Sequence, residues 1–556
     1  MTDKLVVIGG VAGGATAAAR ARRLNEHAEI VVFERGPYIS FANCGLPYYI
    51  GEVIKKRDDL MVTDAESFSK RYNIDVRPSC EITGIDREKR EVEVYCRQTG
   101  KQYRESYGRL ILSPGAEPVR PPFARGVEGQ NVFTLRSIPD TDRIKAYVDE
   151  NRPKKAVVVG GGFIGLEMVE NLVFRGVDVT VIEKMNQVMP PLDYEMASLV
   201  HAHLSEKKVE CCFNDGVFSL EKTGDALMVK TESGASANCD MVVLSIGVLP
   251  ETGLAQKTGL KIGETGGIEV DETMRTSDPY IYAVGDAVEI RQRVTGVKAL
   301  IPLAGPANKQ GRIAADNAMG RCSVFRGSAG TCAVKVFELT AAATGVNEKT
   351  LCRQGIAYQA GYTHSGSHAG YYPGAETMAV KLLFSPGSGR LLGAQAVGKI
   401  GVDKRIDVLA TAVYAGMTVF DLEELDLCYA PPYGSAKDPV NMAGYVASNL
   451  IKGDLEKINW DQIEEIDREN EVLLDVRSRI EVKTSGSIEG AVHIPIDDLR
   501  DRIGELDREK TYIAFCAVGQ RSYLAYRILT QHGFFAKNLA GGFRTYLAAT
   551  ENITLM

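Results

Sequence analysis

The sequence predicts an α/β fold built from two Rossmann-like dinucleotide-binding domains, an α+β domain and a small C-terminal α/β domain. Three observations predict it. Strand, glycine-rich turn and helix follow one another twice, near residues 4–25 and 155–175, each time ahead of a β-branched strand that ends in an acid. After about residue 325 a helical stretch gives way to β-rich segments carrying the aromatic loops HAGYYPG and CYAPPYG. Beyond about residue 460 a compact α/β pattern of roughly 100 residues follows, a length suited to one small domain.

Length and composition agree. At 556 residues the chain exceeds a single hydrophobic core, and 45% hydrophobic with 25% charged residues is the globular average, which excludes disordered and collagen-like classes. A net charge of -7 argues against a nucleic-acid or anionic-membrane binder. The apolar run Leu5–Ala19 has its glycines where a strand turns into a helix, so it reads as a βα turn and not as a signal peptide. No other window approaches the roughly 18 apolar residues of a membrane span. The eleven cysteines show neither CxxC nor zinc-ligand spacing, so no metal site is expected and a reducing, cytoplasmic setting is.

The first turn, VVIGGVAGGATAAA, keeps Gly9 and Gly14 but has Val11 where a middle glycine is expected. Glu34 ends the next strand at the distance that suits an adenosine ribose, and the remote segment TSDPYIYAVGDA adds Asp286, which resembles the Asp that binds the ribityl and pyrophosphate part of FAD in two-dinucleotide flavoproteins. Crossings at LILSPGAEPVRPP and VVLSIGVLPET make this FAD-binding domain discontinuous, over residues 1–112 and 246–325, around an inserted domain at 113–245. The inserted domain carries the full GxGxxG in Gly160, Gly162 and Gly165, whose backbone N–H groups and helix dipole suit a pyrophosphate. Glu183 closes the following strand, where its carboxylate accepts both ribose hydroxyls and would repel a 2′-phosphate. NADH is therefore favoured, with NADPH possible.

With two nucleotide sites in place, SFANCGLPYYIG sets Cys44 at the start of a helix, a position that lowers a thiol pKa. Five residues on stands Tyr49, so no second cysteine can close an internal disulfide there. Cys44 must cycle through a mixed disulfide or a sulfenic acid. Through SFANCGLPYY, YYPG and YAPPYGSAKDP, residues 1–450 resemble the single-cysteine pyridine nucleotide-disulfide oxidoreductases of the coenzyme A-disulfide reductase type. Ala12 stands where the related NADH peroxidases carry a histidine.

The resemblance implies a homodimer, with a dimerisation domain over 326–450. It assigns coenzyme A contacts to Thr16, Arg20, Arg23, Ser40, Asn43 and Lys437. The first of these have a physical basis, since Thr16, Arg20 and Arg23 share one helix face, although such a face is also that of a solvated helix. Tyr371 and Tyr429 are assigned to catalysis from the partner subunit; their hydroxyls could protonate a leaving thiolate, and a packed ring is the alternative.

From Ile463 the segments EVLLDVRS, GSIEGAVHIPID and YIAFCAVGQRS resemble a rhodanese domain, expected over 460–556 behind a linker at 451–459 with an extended reach of roughly 30 Å. Its loop Cys516, Ala517, Val518, Gly519, Gln520 and Arg521 offers successive N–H groups ahead of a helix expected from Ser522, a cradle for a thiolate or persulfide. The expected activity is NADH-driven, FAD-dependent reduction of coenzyme A disulfide, coenzyme A persulfide or polysulfide, with sulfane sulfur carried by Cys516. The alternative is an NADH oxidase working through a Cys44 sulfenic acid, with the last domain as sensor or docking module.

Overall fold

The computed structural model describes residues 4–124, 131–224 and 226–550. The chain divides into two compact units. One runs to Lys184 and resumes over Asn214–Gly330; the other comprises Met185–Phe213 and the chain from Thr331 onward.

The first unit contains both glycine turns. Its strands are β1 (Lys4–Ile8), β2 (Glu29–Glu34), β3 (Asp75–Pro78), an antiparallel trio β4 (Cys80–Asp86), β5 (Glu91–Cys96) and β6 (Gln102–Ser106), and then β7 (Arg109–Leu112). The inserted part adds β8 (Val132–Phe133), β9 (Lys155–Val159), β10 (Asp178–Ile182) and β11 (Met241–Leu244), and the chain returns as β12 (Ile281–Ala283). One parallel sheet runs β12-β7-β1-β2-β3 and a second runs β10-β9-β11-β8. β1 is buried at every position, and a parallel sheet covered on both faces demands such continuous apolar runs.

Helices α1 (Ala12–Leu24), α2 (Leu46–Ile50), α3 (Phe163–Phe174) and α4 (Ala304–Ala318) complete what positions the sites. The alanine and glycine content of α1 has a packing cause. A Cβ on Gly311 of α4 would lie 2.2 Å from the Gly13 carbonyl oxygen, so the two helices approach backbone to backbone. Among the described residues no helix is long and apolar enough to cross a membrane.

The second unit holds two sheets. β13 (Cys332–Val336), β14 (Leu339–Gly345), β15 (Gln359–Gly366), β16 (Thr377–Phe384) and β17 (Leu391–Gly398) pair antiparallel in the order β13-β14-β17-β16-β15, packed against α5 (Val402–Ala415) and α6 (Pro439–Lys452). The C-terminal sheet, from β18 (Lys457–Ile458), β19 (Glu471–Asp475), β20 (Val492–His493), β21 (Thr511–Phe515) and β22 (Phe535–Leu539), is parallel in the order β18-β22-β21-β19-β20. With it go α7 (Arg479–Ser485), α8 (Gln520–Gln531) and α9 (Gly542–Thr550). The last six residues of the expected 460–556 domain lie outside the described residues.

Two parts of the expected organisation differ. Residues 185–213, read as part of the 113–245 domain, group with the second unit, where Asp193 and Glu195 meet the buried ammonium of Lys381. Lys381 also pairs with Glu348 at 3.0 Å, so the three carboxylates enclose an ammonium as their cation. The 451–459 segment is also no free tether. Leu455 is buried in the C-terminal core, Asp454 accepts from Arg527 at 2.8 Å, and Lys457–Ile458 is itself a strand of the sheet. Trp460 packs on Tyr194 with ring centroids 5.9 Å apart, and His364 of β15 shares a 2.8 Å hydrogen bond with Thr545 of α9.

Candidate active site

The two dinucleotide cradles are built alike. Gly9 leaves β1 at φ +97°, and a Cβ there would lie 2.1 Å from the Ser113 carbonyl oxygen; one on Gly14 would lie 1.8 Å from that of Gly9. Val11 takes φ -101°, outside the left-handed region that would favour a glycine at this position. The Glu34 carboxylate accepts from Gly10 N at 2.9 Å and Gly36 N at 2.8 Å, and each oxygen keeps a lone pair for a ribose hydroxyl. Asp286 lies in the turn after β12, where burial raises its pKa and Arg136 opposes the rise. These residues fit FAD.

In the second cradle Gly160 has φ +102°, and a Cβ on it would lie 2.5 Å from the Ser245 carbonyl oxygen, while one on Gly165 would lie 2.0 Å from that of Gly160. Gly162, at the mouth of α3, has nothing within 4 Å of a Cβ, which leaves room for a pyrophosphate. Glu183 accepts from Gly161 N at 2.7 Å. This donor set fits NAD(H).

Cys44 is exposed, on a single 3₁₀ turn (Asn43–Gly45) ahead of α2. Its environment reverses the expected lowering of the thiol pKa. Desolvation pushes the thiol up, and the negative charges of Glu167 and Asp286 add to the rise. A five-residue helix offers little dipole to offset them. Glu167 on α3 is itself held at about 7, by burial first and then by Glu170, while a hydrogen bond from Tyr48 pulls it down. Tyr48, raised by its own burial and by Glu167, completes a proton-bearing group beside the thiol. Sequence reasoning passed over both residues, although they stand inside SFANCGLPYY and VVVGGGFIGLE.

The expected coenzyme A contacts in this unit are unequal. Arg23 and Asn43 are exposed, and Asn43 donates to the Arg136 carbonyl at 3.3 Å. Thr16 bonds Asn308 of α4 at 2.5 Å. Arg20 is engaged by Asp316 of α4 at 2.7 Å, with 14% of its side chain exposed, so its charge is already paired. Ser40 sits in the left-handed region at φ 46° with both backbone groups bonded, its N–H to Gly10 and its carbonyl to Val62.

The second unit brings Tyr371 and Tyr429 together. Their hydroxyls are 2.8 Å apart and both rings are exposed. The loops that carry them are joined by buried Arg405, which donates to the Ser367 carbonyl at 2.9 Å and to Asp438 at 2.7 Å, and by the bond from Ala369 N to the Gly434 carbonyl. Lys437, in the same loop, is exposed.

In the C-terminal domain Cys516 directly follows β21 and is buried; its sulfur accepts from Gly519 N at 3.2 Å and from the Ser522 hydroxyl at 3.5 Å. α8 starts at Gln520, two residues before the expected Ser522, because Gly519 at φ +96° turns the chain into the helix. Phe543 N and Arg544 N hold the carbonyls of Cys516 and Ala517 from behind, and a Cβ on Gly542 would lie 2.5 Å from the Cys516 carbonyl. Arg521 faces the cysteine and is clamped to Glu481, an ion pair that the sequence did not announce.

The family model for pyridine nucleotide-disulphide oxidoreductases matches residues 3–311, that for their dimerisation domain residues 331–439, and that for rhodanese-like domains residues 461–549. A coenzyme A disulfide reductase from Staphylococcus haemolyticus is 37% identical over 448 residues, 80% of this chain and 100% of the relative. Among solved structures, reduced CoADR-RHD from Bacillus anthracis is 50% identical with a TM-score of 0.96, covering 98% of both chains. A NAD-dependent persulfide reductase from A. fulgidus is 43% identical with a TM-score of 0.92, over 98% of this chain and 100% of that one. The chain belongs to the pyridine nucleotide-disulphide oxidoreductase family, as a relative of the coenzyme A disulfide reductases extended by a rhodanese-like domain.

Proposed function

We propose that the protein uses NADH to reduce the sulfur–sulfur bond of coenzyme A disulfide, coenzyme A persulfide or polysulfide through Cys44, and that Cys516 handles the sulfane sulfur. The Cys44 thiolate attacks the S–S bond and forms a mixed disulfide with coenzyme A, or a cysteine persulfide where the substrate is polysulfide, while a thiol or hydrosulfide leaves. FAD, when bound, would supply two electrons from NADH; with them the new sulfur–sulfur bond on Cys44 is cleaved, Cys44 returns to its thiolate, and coenzyme A or sulfide leaves as the second product. Tyr371 and Tyr429, supplied by the partner subunit of a homodimer, protonate the leaving sulfur. Arg23, Thr16, Ser40, Asn43 and Lys437 hold the coenzyme, with Arg20 fixed by Asp316 as part of the wall. Glu34 and Asp286 hold FAD; Glu183 favours NADH over NADPH by repelling a 2′-phosphate.

The observation that carries this reading is the solitary, exposed Cys44, with Tyr49 where a partner thiol would stand and Glu167 and Tyr48 beside it. Cys44→Ser should abolish NADH-driven reduction of coenzyme A persulfide and leave FAD bound. A Cys44→Ser protein with full turnover would overturn the proposal. Mass spectrometry of the intact protein separates the rival chemistry: a coenzyme A adduct on Cys44 supports it, and a trapped sulfenic acid in its place marks an oxidase.

A further inference from the structure

Cys80 of β4 and Cys96 of β5 lie directly opposite each other in the antiparallel register. The Cys96 N–H bonds the Lys101 carbonyl at 2.9 Å, on the side of β5 away from Cys80. Cys80 and Cys96 therefore occupy a non-hydrogen-bonded pair, where Cα atoms approach to about 4.5 Å. That falls within the roughly 4.4–6.8 Å that a disulfide spans.

The two thiols are unequal. Cys80 is buried, and Cys96 is partly exposed. Hydrogen bonds from the Thr99 side chain, from Cys80 and from the Thr99 backbone hold the Cys96 thiol down at about 7. Burial, and then the neighbouring Cys96, pushes Cys80 up to about 11. An accessible thiolate beside a sheltered thiol is an attacking and resolving couple.

We infer that Cys80 and Cys96 form a second thiol–disulfide exchange site, separate from Cys44 and Cys516, whose substrates are low-molecular-weight disulfides. The Cys96 thiolate attacks one sulfur of a disulfide RSSR, forming Cys96–S–SR and releasing one RS⁻. Cys80 then gives up its proton and displaces the second RS⁻ from Cys96, closing the protein disulfide. Two electrons pass from the two cysteines to RSSR, which leaves as two thiols. Excess thiol runs the sequence backward.

Glutathione disulfide is the probe. The full-length flavoprotein is equilibrated with it in excess, alkylated and digested with trypsin, which separates the two cysteines at Arg87, Lys89 and Arg90. The expected result is a disulfide-linked peptide pair, two hydrogens lighter than its parts, that reverts in glutathione. Cys80→Ser should instead accumulate a single glutathione on Cys96, and Cys96→Ser should leave Cys80 unmodified. Separate alkylation of both cysteines in the wild-type protein would overturn the inference without recourse to either variant. Glutathione on Cys80 in Cys96→Ser, at the rate seen for Cys96 in Cys80→Ser, would overturn the assigned roles.

Discussion

Glu167→Gln gives the sharpest test of the environment around Cys44. Lifting the Glu167 carboxyl from an ordinary 4.5 to about 7 costs its ionised form about 3 kcal/mol, at roughly 1.4 kcal/mol per pH unit. The folded chain binds more protons at this site than the unfolded chain between those two pH values. Stability therefore falls as pH rises from 4.5 to 7, and the loss persists above. Glutamine keeps an acceptor for Tyr48 and cannot ionise. Relative to wild type, Glu167→Gln should gain up to ~3 kcal/mol at pH 8 and nothing near pH 4, read by urea unfolding of the flavoprotein. The same change removes a negative charge from the surroundings of Cys44, so the pH midpoint of Cys44 alkylation by iodoacetamide should move down. Equal gains at pH 4 and pH 8, or an unmoved alkylation midpoint, would refute the reasoning.

Three further outcomes are expected. Lys381→Met leaves the buried carboxylates of Asp193 and Glu195 without their cation and should cost the second unit about 3–5 kcal/mol, measured by urea denaturation. Tyr371→Phe and Tyr429→Phe should each lower kcat by roughly 10²-fold with little change in NADH KM, and the double variant should lose no more than either alone, because the two hydroxyls share one hydrogen bond. Glu481→Gln releases Arg521 from its ion pair and should improve KM for thiosulfate in sulfur transfer by about fivefold, the equivalent of ~1 kcal/mol for a partly exposed charge pair; Cys516→Ser should abolish that transfer.

The sequence displayed most of what depends on local backbone geometry. The positive φ values at Gly9, Gly160 and Gly519 are requirements of single turns, so glycine marks them in the chain. Glu34 and Glu183 were legible because a strand of fixed length separates each from its turn. What stayed hidden depends on long-range pairing. Arg20 looked free on its helix face, yet its partner Asp316 lies 296 residues on. Residues 185–213 read as a continuation of the nucleotide-binding pattern, whereas in the second unit Asp193 and Glu195 pair with buried Lys381, Asp193 bonds Gln395 and Tyr194 packs on Trp460. The direction of the Cys44 shift was misread for a similar reason: a short helix was visible in the sequence, whereas two carboxylates converging from α3 and from the turn after β12 were not.

The wall shared by the rhodanese-like domain and the antiparallel sheet has a consequence for the proposed sulfur transfer. His364, half-buried and held at about 3 by desolvation, meets Thr545 on the helix that begins at Gly542, and the start of that helix backs the Cys516 carbonyl. The domain is thus seated through the backing of the Cys516 loop, and swinging it away would break that contact. With Cys516 carrying sulfane sulfur as proposed, the cargo would leave on a small, mobile thiol.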